Sequence, residues 1–172
     1  MTSPLEIPAV LQGRAAGLVA RVREARILQA GLGIFIALAC VGVLAAHTGQ
    51  AWILGSFGAT CVLLFGFPNV PFSRARNVIG GHVLASAVGL LFLQLCGPGW
   101  LPMAAAGACA AMLMMLTDTV HPPAGSNPII VFLAQPGWSF LLLPTLTGAC
   151  SLVVIAWLYW KFMRSLSPKP VS

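Results

Sequence analysis

Between Arg26 and Arg74 this chain carries no charged side chain, and between Arg76 and Lys161 it carries one, Asp118. Stretches of that length leave little to face water over most of the chain. Soluble domains carry about 25% charged residues, whereas here 7% of 172 residues are charged and 59% are hydrophobic. Lipid must therefore be most of the solvent. The expected fold class is all-α transmembrane, because a helix satisfies its own backbone in hydrocarbon.

The charges cluster at the edges of the apolar stretches. Arg14, Arg21, Arg23 and Arg26 precede the first one, Arg74 and Arg76 share a central loop, and Lys161, Arg164 and Lys169 close the chain. The net charge of +6 then sets membrane orientation. It does not point to nucleic acid, since no basic face with interleaved aromatics is present. Residues 1–26 lack the order of a secretory signal. They read as a basic tail or as a short interfacial helix with Leu11, Leu18 and Val22 roughly on one face. Cys40, Cys61, Cys96, Cys109 and Cys150 all fall in apolar runs, without CxxC or Cys/His spacing. No disulfide framework, metal site or cofactor is expected.

A spanning helix needs about 20 apolar residues. The stretches 27–46, 77–96, 100–117 and 140–162 meet or approach that length. Two shorter ones, 50–67 and 121–136, open with helix-breaking residues. If the basic N-terminus is cytoplasmic, a re-entrant 50–67 leaves Arg74 and Arg76 outside, against the positive-inside tendency. Six crossings place every basic cluster on one side, with both termini cytoplasmic. The expected architecture is two inverted three-helix repeats, 27–96 and 100–162, with short, broken second and fifth segments and a tail at 163–172. Four helices plus two re-entrant segments is the alternative.

Gly55-Ser56 and Gly125-Ser126 lie 70 residues apart, at matching places in the two halves. Paired, interrupted short segments of this kind point to a transporter's binding site. Pro122 and Pro123 disfavour helix before them and suit a helix start after them, with Ser126 or Asn127 as a cap. Two half-helix N-termini at membrane depth would present free amides and positive dipole ends, which suit an anion. The expected substrate-binding groups are Gly55, Ser56, Gly58 and Thr60 from one half and Gly125, Ser126 and Asn127 from the other. The competing view is that these small residues only permit close helix packing. For gating or proton coupling the candidates are His121, Asp118, His82 and Asn77. An Asp118–His121 pair is either a proton relay or a capping pair, and His82 inside an apolar stretch needs a cavity or a partner. Arg74 and Arg76 read as topology anchors. Nothing resembles a nucleophile elbow, a Walker loop or paired carboxylates, so no enzyme is expected.

Three stretches together carry a resemblance: Leu54-Gly55-Ser56-Phe57-Gly58-Ala59-Thr60, Arg76-Asn77-Val78-Ile79-Gly80-Gly81-His82, and Thr119-Val120-His121-Pro122-Pro123-Ala124-Gly125-Ser126-Asn127-Pro128. In this order they resemble the HPP family of integral membrane proteins, over roughly residues 27–162. The resemblance implies a link to nitrite transport, known for members in chloroplasts and cyanobacteria. It also implies four transmembrane helices, where the charges favour six. Some members carry a CBS-domain region after the membrane part, and residues 163–172 hold none. The expected function is a transporter or channel for a small monovalent anion, nitrite or a similar oxyanion, in a bacterial inner membrane. A non-transporting sensor or assembly module is the alternative. The expected partners are the anion, the lipid bilayer and a second copy of the chain, with no nucleic acid.

Overall fold

A computed structural model describes residues 9–49 and 54–166, and among these no strand occurs. Helix α1 spans Ala9–Thr48. Helix α2 covers Ser56–Cys61 and continues as π-helical turns over Val62–Gly66. Helices α3 (Ala75–Cys96) and α4 (Trp100–Leu116) follow. A 3-10 stretch, Pro122–Ser126, leads into α5 (Asn127–Ala134). Irregular turns over Trp138–Leu146 lead into α6 (Thr147–Leu166).

Three stretches are long and apolar enough to cross a membrane: Arg21–Thr48, Ala75–Cys96 and Trp138–Leu166. Ser56–Gly66 and Trp100–Leu116 are shorter apolar helices. The 17 residues of α4 rise about 25 Å. Of residues 1–26, expected as a tail or a short interfacial helix, 9–26 form the first part of α1, which continues to Thr48. Residues 1–8, 50–53 (the start of the 50–67 stretch) and 167–172 lie outside the described residues.

Side-chain contacts fix the direction of each segment. The Tyr159 hydroxyl donates to the Gln29 carbonyl at 2.6 Å, and Trp160 Nε1 donates to the Leu64 carbonyl at 3.0 Å. The start of the apolar part of α1, the end of the π turns and the end of α6 therefore sit at one level. At the same end of the molecule Arg26, Asn69, Ser73 and Arg164 border one cavity. The α3–α4 hairpin closes where an Arg76 guanidinium nitrogen donates to the Thr117 carbonyl at 2.6 Å.

The chain after α4 then climbs beside α3. His121 lies against Gly81, where a Cβ would stand 2.8 Å from that of His121. Pro128 and Val131 lie against Gly89, and Trp138 Nε1 reaches the Gln94 side-chain oxygen at 2.9 Å. The following turns descend again, so that Thr145 meets Ser86 at 3.2 Å.

Two apolar clusters hold these segments. One joins α1, α2 and α6 through Ala37, Val41, Phe57, Phe65 and Leu152; the other joins α3, α4 and α5 through Ala85, Ala106, Met114 and Phe132. Leu28, Leu32, Phe35, Leu95, Leu116 and Leu133 remain exposed on the outside. Apolar side chains belong there when the solvent is hydrocarbon.

The first short segment departs from expectation. Gly58 sits inside α2 without breaking it, since one helical glycine costs only about 1 kcal/mol. The irregularity falls at the opposite end, in the π turns. There Ser73 Oγ contacts the Leu63 and Phe67 carbonyls at 3.0 and 2.8 Å, and Trp160 takes that of Leu64. Side chains from elsewhere in the fold thus satisfy the carbonyls freed where the helix ends.

Candidate functional site

Helices α2 and α5 start beside each other and run in opposite directions. Ser56, the first residue of α2, donates its hydroxyl to the side-chain oxygen of Asn127, the first residue of α5, at 2.8 Å. From this contact a polar knot extends through the centre of the bundle. Ser56, Thr60, His82, Ser86, His121, Asn127 and Thr145 are all buried.

The distances and the chemistry of each group nearly determine where its hydrogens lie. His121 Nδ1 is 2.8 Å from the Phe72 carbonyl, an oxygen that only accepts, so Nδ1 bears the hydrogen. With the ring neutral, His121 Nε2 accepts from the Thr60 hydroxyl, 2.9 Å away. Thr60 has one hydrogen to give, so the contact at 2.9 Å to His82 Nε2 is donated by His82. His82 Nδ1 then accepts from the Asn127 amide nitrogen at 3.0 Å. That nitrogen also reaches Ser86 Oγ at 2.9 Å and the His82 carbonyl at 3.2 Å. The result is one directed chain, Ser56 to Asn127 to His82 to Thr60 to His121 to Phe72. The Ser56 carbonyl, 3.1 Å from Thr60 Oγ1, offers that hydroxyl a second acceptor.

Rings and small residues hold the knot in place. Phe57 meets His82 edge-on at 5.2 Å, and the two imidazoles meet edge-on at 5.0 Å. Gly81 allows His121 to approach α3, because a Cβ there would also lie 3.0 Å from the Thr119 carbonyl. Gly89 does the same for Pro128, with 2.9 Å to its Cα. No buried side-chain nitrogen or oxygen among the described residues lacks a hydrogen-bond partner.

The structure thus brings together Ser56, Thr60, Asn127, His82 and His121. Gly55, Gly58 and Gly125 lie in the same two segments, and little stands where a side chain on them would be. Gly58 and Gly125 have nothing within 4 Å of a built Cβ, and Gly55 has only Ile130 at 4.0 Å. Ser126 bonds to the Pro123 carbonyl within its own turn at 2.8 Å, and neither Ser126 nor Asn127 caps α5 through its side chain. Asn77 donates to the Val120 and Asp118 carbonyls at 2.9 and 3.3 Å and so pins the turn before His121.

Asp118 is exposed and occupies the left-handed region (φ 52) of that turn. The expected Asp118–His121 pair is not formed, because Thr60 and Phe72 take both ring nitrogens of His121. Ser86 and Thr145 extend the knot beyond the residues that the sequence singles out. Ser86 could have been found, since it lies four residues after His82 and so on the same face of a helix.

Comparison with known proteins places this geometry in context. The family model described as "HPP, transmembrane region" matches residues 19–168. Transmembrane protein DDB_G0269096 of Dictyostelium discoideum is 32% identical over 123 residues, which cover 67% of this chain and 43% of that protein. Transmembrane protein DDB_G0273707/DDB_G0273361 of the same organism is 29% identical over 121 residues, covering 66% of this chain and 39% of the relative. The chain thus spans less than half the length of these two relatives. No solved structure matches.

Proposed function

Because the chain belongs to the HPP transmembrane family, and is an integral membrane protein, we propose that it moves a small monovalent anion, nitrite or a similar oxyanion, across the bilayer. The contact that carries this reading is the bond from Ser56 to Asn127, where two oppositely directed helices start side by side. Polar groups within a membrane bundle are costly and tend to mark pathways. No carboxylate takes part in the knot, so a cation would find no counter-charge there. An anion would find hydroxyl, amide and imidazole donors. In the conformation described, those donors are spent on one another. Passage then requires the anion to replace these bonds in turn, and hydrogen bonds to a charged acceptor are the stronger ones.

The proposal includes six passes with both termini on the cytoplasmic side. The climb of residues 121–138 beside α3 and the shared level of Gln29, Leu64 and Trp160 support it over two re-entrant segments. The hydrogen bonds of the knot close within one chain.

Nitrite uptake into proteoliposomes tests the proposal. Saturable uptake above that of protein-free liposomes is expected, and it should fall in Ser56→Ala and Asn127→Ala variants that retain a cooperative melt. Uptake equal to that of protein-free liposomes overturns it. The closed state of the knot favours one other reading, a non-transporting sensor or assembly module in which these bonds only hold helices together. That reading predicts neither flux nor thermal stabilisation by millimolar nitrite, nitrate, formate or chloride.

A further inference from the structure

At the end of the molecule that gathers the basic residues, two cavities of about 710 and 690 Å³ share Arg26, Gly66 and Phe67 as a common wall. The first is bordered by Arg26, Arg164, Asn69, Trp157 and Trp160. The second runs along α1 past Ile27, Ala30, Ile34 and Val62 and is apolar apart from Arg23 and Arg26. Among the described residues neither is bordered by an acid, and Glu24 lines neither one. Among the described residues no ion pair engages the Arg26 or Arg164 guanidinium. Arg164 Nε bonds only to the Trp160 carbonyl one turn back.

A basic, tryptophan-lined mouth leads here into an apolar furrow on the outside of the bundle. The combination has the chemistry of a phospholipid: a negative headgroup beside two guanidinium groups, and an acyl chain along a helix. Tryptophan sits by preference at the level of the headgroups, and basic residues there are attracted to anionic lipid. Along this furrow Val22 and Ile27 are exposed, and Ala30 and Ile34 are only partly buried.

We propose that this groove is a binding site for one anionic phospholipid, with its headgroup between Arg26 and Arg164 and an acyl chain along Ile27, Ala30, Ile34 and Val62. The site is separate from the polar knot and does not depend on the transport reading.

Thermal unfolding of the whole chain in a neutral detergent tests it, with phosphatidylglycerol compared against phosphatidylcholine of the same acyl chains. Saturating phosphatidylglycerol should raise Tm on the order of 5 °C above the phosphatidylcholine value. The Arg26→Gln/Arg164→Gln double variant should lose that increment. An Arg76→Gln variant, changed at the same end but outside the groove, should keep it. Equal effects of the two lipids overturn the site, as does an increment that survives in the double variant or vanishes equally in Arg76→Gln. Glycerol phosphate reproducing the effect would identify a free-anion site instead and overturn the lipid.

A second measurement needs no variant. A phosphatidylglycerol carrying a photoreactive acyl chain should label Ile27 to Ile34 or Val62. Labelling confined to the exposed Met112, Met115 and Leu116 of α4 would reject the groove.

Discussion

The two short segments enter the same knot from opposite directions and are built in opposite orders. The first starts as regular helix at Ser56 and becomes irregular at its far end, Val62–Gly66. The second starts irregular, with two prolines in a 3-10 stretch, and becomes regular helix from Asn127 onward. The first contributes hydroxyl groups, Ser56 and Thr60, each with one hydrogen. The second contributes an amide and an imidazole, which between them reach Ser56, Thr60, His82, Ser86 and the Phe72 carbonyl. The prolines therefore act as positioning devices, ending one backbone direction so that His121 and Asn127 face α3. The glycines that make room for this segment lie on the receiving helix, Gly81 beside His121 and Gly89 beside Pro128 and Val131.

If the second segment carries most of the knot, its loss should cost most. Asn127→Ala removes bonds to Ser56, His82 and Ser86 together and leaves buried partners unpaired, at about 3 kcal/mol. Ser56→Ala removes one donor and leaves one acceptor, at about 1 kcal/mol. Thermal or SDS unfolding of the two variants measures the gap, and equal losses would break the asymmetry. Gly81→Ala should follow at about 2 kcal/mol, because the added methyl meets a Cβ and a backbone carbonyl rather than the tip of a flexible side chain.

Thr60 is where the first segment counts most, since its oxygen serves both imidazoles. Thr60→Val should cost about 1–2 kcal/mol, whereas Thr60→Ser should cost little. Nitrogen NMR of the wild type should place hydrogen on Nε2 of His82 and on Nδ1 of His121. The reverse tautomers would overturn the direction assigned to the chain of bonds.

Much of this arrangement is legible in the sequence. The spacing of charges gave the membrane environment, and the matched positions of Gly55-Ser56 and Gly125-Ser126 led to two helix starts that lie together. What stayed hidden depends on neighbours. Ser86 and Thr145 in apolar runs look like any small packing residue until Asn127 is seen beside them. Gly33 of α1 lies against the Phe65 ring, which leaves no room for a Cβ there. Gly58 and Gly125 read as ligand positions; a Cβ at either meets no atom within 4 Å, and the tight approaches between segments occur at Gly81 and Gly89 of α3. Asp118 is the one acid among the later helices, and its neighbour in sequence proved not to be its partner. Its backbone is set by a turn that Asn77 holds from α3.

The smallest expected effects decide between packing and passage at those glycines. Gly58 lies within α2 with open space around it, so Gly58→Ala should be neutral or stabilising by about 0.5–1 kcal/mol through lower chain entropy. Gly125→Ala also meets no atom and should leave the melt within about 0.5 kcal/mol of wild type. If the knot alone carries the anion, both variants should also keep nitrite uptake near the wild-type rate. If uptake collapses while the melt is unchanged, the space beside these glycines is part of the path. The route would then run along the open face of α2 and the 3-10 turn rather than through the Ser56–Asn127 contact.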